Sequence, residues 1–246
     1  MGYAQEDSLW NQKSSNGDKI GKWRGYHKNG KLRYTGQFKE DKPCEVFKYY
    51  FDTGDLQSIL TFKEPTVAQA KLFYQNGDIM AEGVYINQKR EGRWISYGAE
   101  NIKVEEGEYK NGNKTGSWLT YFPNGQISSE IVFENNLKNG PFKNYYNNGK
   151  LKQEGVYEND KLNGLSIFYK PDGKKFLKGI YNNDSRNKNW VFYNDKMEVN
   201  KVLEYNNGVL LNPEVLDTIN YDSEPFKNNI KDVLEFEDLR GKIKYE

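Results

Sequence analysis

Four sets of residues in this chain have side chains that could do chemistry. The first is the single histidine, His27, of a type that works as a base or a metal ligand near neutral pH. The second is the single cysteine, Cys44, whose thiol is a nucleophile only where its pKa is depressed. The third is a row of carboxylates, Glu82, Glu106, Glu130 and Glu154, spaced 24 residues apart. Such a row invites a calcium or acid–base reading. The fourth is a column of tyrosines at the same interval, Tyr97, Tyr121, Tyr145 and Tyr169. A tyrosine offers a rigid ring and a hydroxyl, a combination favoured at interfaces.

Weighed singly, the first three sets give little. One histidine and one cysteine cannot complete a four-ligand zinc site, and a lone cysteine has no disulfide partner within the chain. His27 has no equivalent in the repeat described below, so it reads as a surface residue of a strand. A hairpin register that places Lys71 opposite Glu82 and Lys143 opposite Glu154 makes those carboxylates members of cross-strand ion pairs. No phosphate-cradling glycine motif and no Gly-x-Ser-x-Gly occurs. The chain is therefore read as a non-enzyme with no cofactor and no metal. The tyrosine column is the candidate binding site.

The elements that would position that column follow from a period. Gly30, Gly54, Gly77, Asn101, Gly125, Gly149, Gly173 and Met197 are spaced by 24, 23, 24, 24, 24, 24 and 24 residues. Four residues before each mark stands an aromatic: Tyr26, Tyr50, Phe73, Tyr97, Tyr121, Tyr145, Tyr169, Tyr193. Eight residues after each stands another: Phe38, Phe62, Tyr85, Tyr109, Phe133, Tyr157, Tyr181, Tyr205. In a chain that is 15% aromatic, sixteen occupied positions out of sixteen define a repeat, and this length of repeat means a solenoid, propeller or array.

Each unit reads as a hairpin. Asn-Gly between two aromatic-rich runs, as at Asn29-Gly30, Asn76-Gly77, Asn124-Gly125 and Asn148-Gly149, predicts a two-residue type I′ turn. Glu100-Asn101 and Lys196-Met197 lack the glycine, which predicts a different or longer turn in units four and eight. The turn places position −7, counted from the mark, opposite position +6. A large ring at −7 (Trp23, Trp94, Phe142) would then lie over a strand glycine at +6 (Gly36, Gly107, Gly155) and restore the packing that glycine lacks. Positions +6, +8 and −7 share one face of the sheet and the −4 ring takes the other. Polar stretches such as 110–116 and 158–164 link the units as turns.

Composition agrees with a thin architecture. Apolar residues are 36% of the chain, below the usual share of about 45–50%. With 36 basic and 35 acidic residues the net charge is +1, which argues against a nucleic-acid binder. Near-neutral charge and the lack of a basic amphipathic face argue against a membrane-surface module too. No apolar run approaches the about 18 residues of a membrane span.

The segments Gly21-Lys-Trp23-Arg-Gly-Tyr26-His-Lys-Asn29-Gly30-Lys-Leu32, Gly116-Ser-Trp118-Leu-Thr-Tyr121-Phe-Pro-Asn124-Gly125 and Glu108-Tyr109-Lys110-Asn111-Gly112 resemble the MORN-repeat variant family, and within it the YwqK-type antitoxin repeat proteins. The resemblance implies an all-β fold, an elongated single-layer antiparallel meander of about eight β-hairpin repeats. It implies binding or scaffolding: a protein partner, with neutralisation of a toxin as one form of that role. It also tilts compartment towards export (periplasm or cell envelope) over cytoplasm. The alternative function is a cell-wall or carbohydrate-binding aromatic repeat protein, of the kind choline-binding arrays exemplify, so a glycan stays open as a ligand.

The chain thus divides into an N-terminal segment, 1–15, the array, 16–208, and a C-terminal helical cap, 209–246. Leu9 and Trp10 are expected to pack on the first hairpin. Asn212-Pro213 sets up a helix start. Phe226, Ile230, Val233 and Leu234 recur at helical spacing, predicting a helix from about Glu224 to Phe236.

Overall fold

The computed structural model describes residues 9–216. Within them the chain forms one 19-stranded antiparallel sheet in which neighbours in sequence are neighbours in space. The eight hairpins are Lys19–Tyr26 with Leu32–Lys39, Lys42–Tyr50 with Leu56–Glu64, Val67–Phe73 with Ile79–Ile86, and Lys89–Tyr97 with Lys103–Lys110. Then follow Asn113–Tyr121 with Ile127–Glu134, Leu137–Tyr145 with Leu151–Glu158, Gly164–Tyr169 with Lys175–Asn182, and Ser185–Tyr193 with Val199–Asn206. The ends are covered by short strands. Gln12–Lys13 pairs with the first hairpin and Val209–Leu210 with the last. Leu9 stays 59% exposed, whereas Trp10 lies under the Arg24 guanidinium, 5.1 Å from its ring centre. A 3-10 turn, Pro213–Val215, begins at the expected proline, and Val215 and Leu216 pack on the last buried cluster. The expected helix Glu224–Phe236 lies outside the described residues.

The turns exchange roles relative to the sequence expectation. Within a unit the loop has three residues. His27 accepts from the Gly30 N–H at 3.0 Å and its own N–H reaches Lys31 O. Only Gly30 has positive φ there (+79°). This is a type I turn closed by a left-handed residue that forms a bulge. The bulge restores the even register, so the expected −7 to +6 pairing holds: Trp23 with Gly36, Trp94 with Gly107, Phe142 with Gly155. Asn29 is selected by its side chain. Its Oδ1 accepts from the Lys31 N–H, as Asn76, Asn124 and Asn148 do in their units. Unit eight uses the same turn with Met197 at φ +65° in the glycine position; only unit four departs, with Glu100 and Asn101 both left-handed. The two-residue I′ turns stand between units instead: Glu40-Asp41, Asn135-Asn136, Asn159-Asp160 and Asn183-Asp184 all have positive φ at both residues.

Both rows of turns are clasped along the array. The Lys138 N–H donates to Asp160 Oδ1 at 2.7 Å while the Asp160 N–H returns to Lys138 O at 2.9 Å. The pairs Lys19/Asp41, Lys114/Asn136 and Leu162/Asp184 repeat this clasp. On the other row Asn29 Nδ2 donates to Asp52 O and Asn148 Nδ2 to Pro171 O. Two strand spacings, about 10 Å, separate such turns in a flat sheet. The bonds therefore require the ribbon to coil, as right-handed strand twist favours.

The core is one face of the sheet. Rings from −7 and +8 alternate along it with edge-on contacts. Phe38–Phe47–Phe62 make one row, with centroids 5.1 and 5.4 Å apart; Tyr85–Trp94–Tyr109–Trp118–Phe133 make the next. The ring-over-glycine expectation holds for Phe142, whose ring lies over Gly155 of its own hairpin, and is corrected in its partner elsewhere. Phe47, Trp94, Trp118 and Trp190 lean away from their own hairpins, over the +6 glycine of the preceding unit. A Cβ on Gly107 would meet Trp118, one on Gly36 would meet Phe47, and one on Gly179 would meet Trp190, all within about 2.3 Å. A wide bulge causes this: Glu106 pairs with Leu119 and Glu108 with Thr115, so Gly107 alone faces 116–118. The indole N–H is then met by the carbonyl beyond the glycine, Trp118 Nε1 to Glu108 O at 3.2 Å.

Candidate functional site

The opposite face carries the tyrosine column. Period and pleat place each −4 tyrosine beside the +5 glutamate of the unit before it, 15 residues upstream. Tyr97 donates to Glu82 Oε1 at 2.7 Å and Tyr169 to Glu154 Oε1 at 2.6 Å; Tyr121 donates to Glu106. Tyr145 does not join the ladder, because Glu130 accepts from Ser117 Oγ instead. The two features that the sequence offered separately, carboxylate row and tyrosine column, are thus one structure. The sign of that union in the sequence is the 15-residue offset between Glu82 and Tyr97, Glu106 and Tyr121, and Glu154 and Tyr169, which period and spacing within one hairpin do not reveal.

Of the two expected ion pairs, Lys71 and Glu82 close to 3.6 Å. Lys143 stands opposite Glu154 in register, but that carboxylate turns to Tyr169. The densest point is Glu106. Its carboxylate, 12% exposed, takes Tyr121, Arg93 and Lys103, and the Lys103 ammonium sits 3.9 Å over the Tyr121 ring. Burial pushes the Glu106 carboxyl upward, but the hydrogen bonds from Tyr121, Arg93 and Lys103 outweigh it and hold its pKa at about 2. Burial and the bond to Glu82 raise Tyr97 to about 12, and burial and Glu154 raise Tyr169 likewise to about 12. These phenols stay protonated and donate; none is poised as a nucleophile.

A depressed carboxyl pKa stabilises the fold above its ordinary value of 4.5 and loses that contribution as pH falls through about 2. The shift corresponds to about 3 kcal/mol before solvent screening of the network, which lowers it. Glu106→Gln should therefore lower stability at pH 7 and flatten its decline between pH 4.5 and 2; urea unfolding at pH 7 and pH 3 checks this. A variant with the parental acid limb would show that the network contributes nothing.

His27 is structural. Its Nε2 lies 2.9 Å from Tyr50 O. Tyr74 and Tyr146, at the same repeat position, donate to Tyr97 O and Tyr169 O. The histidine therefore has repeat equivalents after all, as a tie between loops. Burial raises the Cys44 thiol above its ordinary pKa, so it is not activated. Among the described residues no group of His, Cys, Asp and Glu is placed to hold a metal ion, and no helix is long and apolar enough to cross a membrane.

Fold and faces define a class: an open single-layer array of β-hairpin repeats with an aromatic inner face and a tyrosine–carboxylate outer face. Five stretches, 19–40, 46–64, 67–87, 114–135 and 138–159, match the family model of the MORN repeat variant. These are units one, two, three, five and six. Units four and eight, without the turn glycine, and unit seven, with serine at −7, fall outside the match. No curated protein matches the chain. Among solved structures, similarity is found to a crystal structure of TarM, at 14% identity over 50% of this chain and 20% of that one, with a TM-score of 0.23. Similarity to TcdB2-TccC3-Cdc42 is at 14% identity over 69% and 12%, with a TM-score of 0.19. For TcdB2-TccC3 it is 13% over 76% and 13%, at 0.20. The chain spans a fifth or less of each of these proteins.

Proposed function

We propose that this chain is a non-enzymatic scaffold whose outer face binds a protein partner. The reading rests on one observation: half-buried tyrosines recur along that face with their hydroxyls fixed by carboxylates. A pinned ring loses little entropy when it docks, and tyrosine with arginine is the composition of binding hot spots. Tyr97, Tyr121, Tyr145 and Tyr169 are the contact residues of this reading. The MORN-variant match supports a repeat scaffold. Toxin neutralisation is the specific form of the role that the resemblance to YwqK-type antitoxins suggests, with a toxin as the partner.

Tyr145 is the residue to change, because it carries no carboxylate bond whose loss would confuse the result. The purified chain is expected to form a stoichiometric complex with the product of a neighbouring gene, measured by size-exclusion chromatography and calorimetry. Tyr145→Ala should weaken that complex at least tenfold while leaving the melting curve in place. A complex of undiminished affinity would remove the outer face from the interface.

A further inference from the structure

The inner row of rings is interrupted twice. No ring stands between Phe62 and Tyr85, because Ala70 occupies −7, and none between Tyr157 and Tyr181, because Ser166 does. The second gap is plugged from within. Leu162 and Phe168, each 7% exposed, join Phe142 and Tyr181 in one buried cluster, with Tyr157 packed against it. At the first gap the corresponding paired places hold smaller residues: Ala68 stands opposite Phe62 as Leu162 stands opposite Tyr157, and Leu72 opposite Ser58 as Phe168 stands opposite Gln153. A hollow of about 800 Å³ remains there, walled by Phe38, Phe47, Phe62, Leu72 and Tyr85.

Its polar lining is Gln57, Ser58, Thr66, Asn87 and Gln88. Among the described residues no lysine, arginine, aspartate or glutamate lines it, in a chain that is 29% charged. Ser58 is 9% exposed, and its hydroxyl makes no hydrogen bond to another described residue. The volume lies within the about 300–1,000 Å³ of small-molecule sites.

We propose that this hollow binds a short neutral oligosaccharide. A pyranose ring presents apolar C–H faces that lie against aromatic rings and a rim of hydroxyls that exchange hydrogen bonds with amides and hydroxyls. The hollow offers both. A charged ligand would be desolvated without a counter-charge. A wholly apolar guest would strand the Ser58 hydroxyl. The site is separate from the outer face, so it stands or falls independently of the protein-binding reading.

The experiment titrates the full chain with three neutral trisaccharides, cellotriose, maltotriose and chitotriose, by calorimetry and tryptophan fluorescence. Trp94 reports on the site because its ring is 5.0 Å from that of Tyr85. At least one trisaccharide is expected to bind. Ala68→Leu with Leu72→Phe, which places the plug of unit seven at the paired positions of unit three, should raise its Kd at least tenfold. Ser58→Ala, which leaves the packing intact, should raise it several-fold and decides the matter if the plugged variant folds poorly. The proposal is overturned if none of the three sugars binds, if binding survives both variants, or if indole binds more tightly than every sugar.

Discussion

Gly107→Val is expected to destabilise the middle of the array by about 3 kcal/mol or more, in the upper range for overpacking a core. A Cβ at Gly107 would stand 2.3 Å from Trp118 Cδ2 and 2.4 Å from Cε2. The indole has nowhere to go. It is 3% exposed, held by its N–H on Glu108 O, set edge-on between Tyr109 and Phe133, and covered by the Lys114 ammonium at 3.7 Å. Two other glycines calibrate the effect. At Gly155 the nearest atoms are Ser166 Oγ at 2.5 Å and Phe142 Cε1 at 2.8 Å, and the serine can rotate. Gly155→Val should cost less than Gly107→Val. At Gly112 the nearest atom is Lys89 Cβ at 3.7 Å and only the φ of +86° opposes a side chain, a strain of about 1–2 kcal/mol for alanine. In thermal melts the order should be Gly107→Val, Gly155→Val, Gly112→Ala, with the first lowered by about 6–12 °C. Equal losses for the first and last would refute the ring-over-glycine packing.

The sequence made the hairpins, their pairing and their faces legible because these depend on period and pleat alone. Ring and glycine recur at fixed offsets, and any even register sends +6, +8 and −7 to one side. Turn type was not legible. Asn-Gly suits a I′ turn, yet it suits equally a type I turn in which asparagine accepts through its side chain and glycine alone is left-handed, as at Asn29-Gly30. The I′ turns fell to Glu40-Asp41 and Asn159-Asp160, which lack glycine but carry the aspartate that clasps the backbone beside the preceding turn. Which neighbour a ring covers was hidden too, because a bulge has no signature in residue pairing. An indirect sign existed. Eleven residues apart, Gly36 precedes Phe47, Gly83 precedes Trp94, Gly107 precedes Trp118 and Gly179 precedes Trp190; Leu60 precedes Ala70 by ten, because that unit is one residue shorter. In these five units space and side chain trade places across the interval, whereas Ile131 with Phe142 and Gly155 with Ser166 do not follow it. The interval also exposes the vacancy at Ala70, where Leu60 restores only part of the missing ring.

Trp190→Ala should show whether that packing is shared between units or local to each. Trp190 is fully buried, at 0% exposure. It covers Gly179, donates from Nε1 to Ile180 O at 3.2 Å, and meets Tyr181 and Tyr205 edge-on at 4.9 and 6.3 Å. The Arg186 guanidinium lies 4.7 Å from its ring centre. Through Leu162, Phe168, Leu177 and Leu203 the same cluster ties units seven and eight to Phe142 of unit six. Truncation is expected to cost about 3–5 kcal/mol. In an array stabilised by neighbour contacts, that loss falls on the units that share the interface. Amide exchange in 161–206 should accelerate by orders of magnitude, while 19–64, joined to the cluster only through intervening units, keep their protection. Trp23→Ala is the control. Its half-exposed ring has no preceding hairpin glycine to cover and donates locally to Ile20 O, so its loss should be the smaller by at least half. Uniform acceleration along the whole chain would mean that the ribbon unfolds as a single cooperative body, and that rings at one end are felt at the other.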